Sequence, residues 1–63
     1  MKSKKLTVLE LIKHFELNPR WYSVFGADEL TNRETISILK RLKRTREFNI
    51  QNDENDENCI LIY

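Results

Sequence analysis

Asn18-Pro19-Arg20-Trp21-Tyr22-Ser23-Val24-Phe25-Gly26 is the stretch on which the architecture turns, because it decides what lies between two well-signalled helices. A residue that precedes proline avoids the helical region, so Asn18-Pro19 ends the helix before it. The same pair suits the start of another, with Asn18 as cap and Pro19 at the first helical position. Trp21, Tyr22, Val24 and Phe25 supply apolar surface for about two helical turns, and Gly26, the only glycine, stands where a C-terminal cap belongs. The stretch therefore predicts a second helix over residues 19–25.

On its N-terminal side, Thr7 and Glu10 have the spacing of a capping box, and Leu6 and Leu11 are placed as a hydrophobic staple around it. Val8, Leu11, Ile12 and Phe15 then recur at i, i+3, i+4 and i+7, the buried stripe of an amphipathic helix over residues 8–16. On its C-terminal side, Thr31 and Glu34 repeat the box and open a third helix, expected over residues 32–44. Ile36, Ile38, Leu39 and Leu42 fall on one side of that helix, while Arg33, Ser37, Lys40, Arg41 and Arg44 share an arc of about 100° on the other. After Arg46 the period changes. Phe48-Asn49-Ile50-Gln51 alternates, Cys59 to Tyr63 is an apolar, β-branched run, and the seven residues Asn52 to Asn58 between them are all polar, four of them acidic. Residues 47–63 thus predict a hairpin, and the whole chain an α+β domain of three helices followed by that hairpin.

The 63 residues allow one domain, 1–63, and a chain of this size buries only about 60% of the surface its unfolded form exposes. One Cys and one His exclude an internal disulfide and a self-contained zinc site, so a homodimer is the expected source of added stability. No apolar run approaches the roughly 18 residues of a membrane span, and the basic N-terminal arm, residues 1–5, is not followed by a signal-type apolar region. The chain reads as cytoplasmic. Its net charge of +1 conceals a polarity. Residues 1–46 hold all eleven Lys and Arg and five acids, a net of +6, while residues 47–63 hold five acids and no cation. Five of the seven residues from Lys40 to Arg46 are cationic, with no acid nearby on the helix to pair with them, which is the footprint of a surface that meets a polyanion.

The order of elements resembles the winged helix-turn-helix DNA-binding proteins. Asn32-Arg33-Glu34-Thr35-Ile36-Ser37, with Leu39 and Lys40-Arg41-Leu42 after it, is similar to the recognition helix of small bacterial, phage and viral regulators of that family, which often reads Ser-Arg-Glu-Thr-Val-Ser before a Leu-Lys-Arg-Leu run. The resemblance covers residues 31–63. It implies a transcriptional regulator or repressor that binds double-stranded DNA in a sequence-specific way, probing the major groove with the third helix. Arg33, Ser37 and Lys40 or Arg41 would then face the major groove, with Arg33 and Ser37 able to reach base edges and Arg41, Arg44 and Arg46 better placed for phosphates; Asn32 belongs to the same DNA-binding set. The hairpin would be the wing, and since phosphates repel its four carboxylates, it is expected to point away from DNA or to meet a partner.

Other readings of the same residues stay open. The basic face can be a solvated face or can bind an acidic protein, with Asp53 to Glu57 and Trp21 to Phe25 as further contact surfaces of an interaction module. A nonspecific architectural or RNA-binding protein would show a steep salt dependence with little sequence preference. Trp21 and Tyr22 read as core or dimer interface, and Cys59 as a small buried hydrophobe. His14 has no second ligand near it in sequence. No nucleophile triad, phosphate-binding glycine loop or paired catalytic carboxylates occur, so no enzyme, cofactor, metal or small-molecule substrate is expected.

Overall fold

In the computed structural model, which describes residues 4–63, Thr7 closes the expected box: its hydroxyl accepts from the Glu10 N–H at 3.2 Å, and its own N–H donates to Glu10 Oε1 at 2.9 Å. The helix that follows, α1 (Val8–Leu17), buries the stripe Val8, Leu11, Ile12 and Phe15. Ahead of it, Lys4–Thr7 form strand β1 rather than a free arm; Met1–Ser3 of that arm lie outside the described residues.

The segment 19–25 is not a helix. Tyr22–Phe25 form strand β2, Asp28–Leu30 form β3, and Gly26-Ala27 turn the chain between them. Gly26 has φ +64°, and no other described residue has positive φ, so the turn is of the type II′ kind that takes glycine at its first central position. Three physical reasons favour the strand. A seven-residue helix gains little from cooperativity. Tyr, Val and Phe pack best on a pleated surface. The apolar strand β5 (Cys59–Ile62) needs a neighbour along its second edge, and β2 supplies it in parallel register from Tyr22 opposite Cys59 to Phe25 opposite Ile62.

The second helix, α2 (Asn32–Lys40), opens with the predicted box, Thr31 accepting from the Glu34 N–H at 3.2 Å and donating from its own N–H to Glu34 Oε1 at 3.0 Å. It ends four residues before the expected Arg44. The N–H groups of Arg41 and Leu42 tighten onto Ile38 and Leu39 carbonyls, and the chain then leaves to serve α1: Arg46 C=O accepts from the Val8 N–H at 2.8 Å and Arg44 C=O from the Leu9 N–H at 3.3 Å. Clustered cations at Lys40, Arg41, Lys43 and Arg44 disfavour a further turn, and the first turn of α1 offers their carbonyls partners.

Strand β4 (Glu47–Asn52) completes a five-stranded mixed sheet of order β1-β4-β5-β2-β3. The winged helix-turn-helix architecture is thereby overturned: among the described residues two helices, not three, lie on one face of a five-stranded sheet, and the β2–β3 hairpin separates α1 from α2, so they form no helix-turn-helix. The core is the layer between them, where Val8, Leu11, Ile12, Phe15 and Leu39 meet Phe48, Ile50, Ile60 and Ile62. One polar tie crosses it. Ser23 Oγ lies 2.6 Å from Thr35 Oγ1, both residues fully buried, and Thr35 Oγ1 donates onward to Thr31 C=O at 2.8 Å. No helix among the described residues is long and apolar enough to cross a membrane.

Candidate nucleic-acid-binding surface

Burial of Thr35 and Leu39 fixes the rotation of α2 and leaves Arg33, Ser37 and Lys40 exposed, with Arg41 exposed at its C-terminal cap. Arg33, Ser37 and Arg41 line one shallow groove beside Leu30 and Ile38. Lys40 and Arg44 line a second, between α1 and α2, floored by Leu9, Ile12, Leu39 and Leu42 and edged by Glu16. The cations that the sequence put on one long helical face are therefore spread along a strip. It begins at the first turn of α2, follows that helix and ends in the 41–46 loop beside the start of α1.

Two predicted contact residues have other work. Asn32 is half-buried, and its amide Nδ2 donates to Phe15 C=O at 2.9 Å and to Asn18 C=O at 3.0 Å, closing the C-terminal end of α1. Arg46 lies off the helix, with its guanidinium 4.7 Å from the centre of the Phe48 ring, a cation–π contact at the start of β4. Arg44 is exposed but stands in the loop, its carbonyl bound to α1. Arg33, Ser37, Lys40 and Arg41 remain as exposed side chains on or at the end of one helix.

The acidic segment is ordered by its own side chains. Asp53 Oδ1 accepts from the Asn55 N–H at 2.8 Å and Asp56 Oδ1 from the Asn58 N–H at 2.9 Å, two turns in which a carboxylate replaces a backbone acceptor. Tyr22 Oη donates to Asp56 Oδ2 at 2.6 Å. That bond, with the Asn58 N–H behind it, holds the Asp56 carboxyl below the usual aspartate range, and it raises the Tyr22 phenol, since ionising the phenol would give up the bond and set two anions together. Burial pushes the Cys59 thiol upward. Two carboxylates predicted as a wing surface thus act as local structure. The loop also stands apart from the cationic strip: β4 runs from Glu47, next to the 41–46 loop, to Asn52, at the start of the acidic one, and six residues of strand span about 20 Å.

Trp21 packs edge-on to Phe15 at 6.0 Å between ring centres and stacks with His14 at 6.2 Å, so it closes one end of the core. Among the described residues no three His, Cys, Asp or Glu side chains gather as a group that could hold a metal ion. Compared with family models, curated proteins and solved structures, the chain matches none.

Proposed function

We propose that this protein binds double-stranded DNA through the cationic strip of α2 and the 41–46 loop, and acts as a small regulator by occupying its site. The observation that carries this reading is that Arg33, Lys40, Arg41, Lys43, Arg44 and Arg46 are all exposed, six cations within fourteen consecutive residues, at a distance from the acidic loop. Lys40, Arg41, Lys43 and Arg44 serve phosphates, where charge alone supplies affinity. Arg33 and Ser37, on the first turns of α2, are the residues able to reach base edges beside that contact. Without a helix-turn-helix to brace α2, phosphate contact leads and base reading is secondary.

The test is fluorescence anisotropy of a labelled duplex titrated with the protein at two salt concentrations. Four phosphate contacts give a log-log salt slope of about −3.6, hence an affinity loss of about 150-fold between about 50 and 200 mM salt. Replacing Arg33, Lys40, Arg41 and Arg44 by Gln is expected to abolish binding while the circular dichroism spectrum is retained. Absence of binding at low salt refutes the reading.

A second reading has its own observation. The groove between α1 and α2 combines an apolar floor, including the exposed Leu9, with Lys40 and Arg44 at its rim, which fits an acidic amphipathic segment of another protein. Leu9→Ser separates the two: it removes apolar floor from the groove without adding charge beside Lys40 and Arg44, and so spares phosphate binding.

A further inference from the structure

Strand β5 is the middle strand of the sheet, and the chain from Cys59 through Tyr63 is apolar or aromatic at every position. Ile60 and Ile62 lie in the core under the helices. The alternate positions Cys59, Leu61 and Tyr63 belong to the opposite face of the sheet, where Cys59 is buried at the end that Tyr22 and the 53–58 loop close, Leu61 is half-buried and Tyr63 is exposed, and neither helix lies on that face. Tyr22 and Val24 share that face, through the pairs Tyr22 with Cys59 and Val24 with Leu61. A strand wetted on one side alternates apolar with polar residues, whereas one covered on both sides reads as a continuous apolar run. β5 has the second kind of sequence, yet in this chain alone its second face is covered only at Cys59, while Leu61 and Tyr63 reach solvent.

The outer strands of the same face carry charge. Lys5 of β1 pairs with Asn49, which points away from the buried Phe48 and Ile50, so Lys5 is on this face, as is Glu47 at the end of β4. Glu29 of β3 pairs with Val24 and is on it too. In the order β1-β4-β5-β2-β3, Lys5 and Glu29 each stand two strands from β5, on opposite sides.

We propose that this sheet face is a self-association surface, covered by a second copy of the chain packed face to face about a two-fold axis running along β5. Rotation about that axis lays β5 on its counterpart and brings each β1 over the partner's β3. Lys5 of each copy then faces Glu29 of the other, twice, around a centre formed by Leu61, Val24, Tyr22 and Tyr63. The alternative two-fold, across the strands, lays β1 on β1 and β3 on β3 and so sets Lys5 nearest Lys5 and Glu29 nearest Glu29, which like charge opposes. The Lys5–Glu29 pairing is thus made under one operation only, which is why the occupant is a second copy. Both helices and the cationic strip face outward from this dimer. The face is only about 20 Å wide at the usual strand spacing, so the dimer is weak and concentration-dependent.

Sedimentation equilibrium of the full chain without nucleic acid tests this apart from any DNA binding. A monomer–dimer equilibrium with no larger species is expected, and Leu61→Lys and Val24→Lys, each checked for folding by circular dichroism, weaken it by about tenfold or more, as expected for central interface positions. Lys5→Glu and Glu29→Lys each weaken it alone, and an equal mixture of the two recovers it, because the mixed dimer sets every introduced charge opposite its complement. The proposal is overturned if the unaltered chain stays monomeric at every concentration, if Leu61→Lys dimerises as tightly as the parent, if open-ended oligomers form, or if the mixture recovers nothing.

Discussion

Ser23 and Thr35 join strand β2 to helix α2 by a buried hydroxyl pair, and removing either side of it has an effect whose order is set by the geometry. Thr35 Oγ1 spends its proton on Thr31 C=O at 2.8 Å, so across the 2.6 Å contact Ser23 Oγ is the donor and Thr35 Oγ1 the acceptor. Ser23→Ala removes a donor and leaves Thr35 its bond to Thr31, a loss of about 1 kcal/mol. Thr35→Val keeps the shape but strands the Ser23 hydroxyl in the core, a loss of about 2 kcal/mol within the usual range for an unsatisfied buried group. Thr31 C=O keeps a partner in both cases, since it also accepts from the Thr35 N–H at 2.9 Å. The double variant leaves no stranded hydroxyl, so it is expected to lose less than the two single changes together, with a coupling of about 1 kcal/mol. A chain of 63 residues has a total stability of about 3–9 kcal/mol, which makes each change visible as a shift of several degrees in Tm. Urea unfolding followed by the fluorescence of Trp21, the only tryptophan, gives the four free energies. Strict additivity, or a neutral Thr35→Val, refutes the hydroxyl bridge and with it the placement of Ser23 under α2.

Three further outcomes are expected. Gly26→Ala meets no atom within 4 Å of the added Cβ, so its cost of about 1–2 kcal/mol in urea unfolding comes from the backbone at φ +64° alone. Asn32→Ala loses the two bonds to the Phe15 and Asn18 carbonyls at the end of α1 and lowers stability by about 1–2 kcal/mol, while the salt slope of DNA binding stays that of the parent; Lys40→Gln does the reverse. Tyr22→Phe lets the Asp56 carboxyl rise toward its ordinary value, read by NMR titration. Because the Glu10, Glu34 and Asp56 carboxyls are all held low in the folded chain by the bonds they accept, the stability they add is present above the ordinary carboxylate range and lost as pH falls through their folded values. In the Tyr22→Phe protein the Asp56 share of that acid loss is expected to shrink.

Local signals in the sequence carried the helices and the C-terminal hairpin, because each rests on contacts within a few residues: the two Thr-to-Glu boxes, the stripe of α1, and the alternation at Phe48 and Ile50 all correspond to observed elements. The segment 19–25 departs from the expected helix because its apolar content fits either period, and the decision lies elsewhere in the chain. A parallel edge to Cys59–Ile62, some 37 residues downstream, stabilises the strand, and no local pattern records it. One local clue did exist. Phe25-Gly26-Ala27-Asp28 places glycine at the first position of a two-residue link, as a type II′ turn requires, and it signals a hairpin as readily as a helix cap.

The candidate site was legible to the extent that it depends on helical rotation. Once Thr35 and Leu39 point inward, Arg33, Ser37 and Lys40 must point outward; the apolar pattern signals Leu39 but not Thr35, a polar residue whose place in the core depends on Ser23. Asn32 escapes the argument because the end of α1 bonds its amide, through a contact across 17 positions. Arg44 and Arg46 escape it because the chain leaves the helix at Lys40, and its carbonyls then satisfy the N–H groups of Val8 and Leu9. That exchange has a consequence for function. The loop bearing Lys43, Arg44 and Arg46 is held by its backbone while those side chains remain exposed, so the cations are placed by bonds that a phosphate ligand need not break. Binding through this strip is therefore expected to proceed with little rearrangement of the fold, and its free energy to be set chiefly by how many of these charges meet phosphates at once.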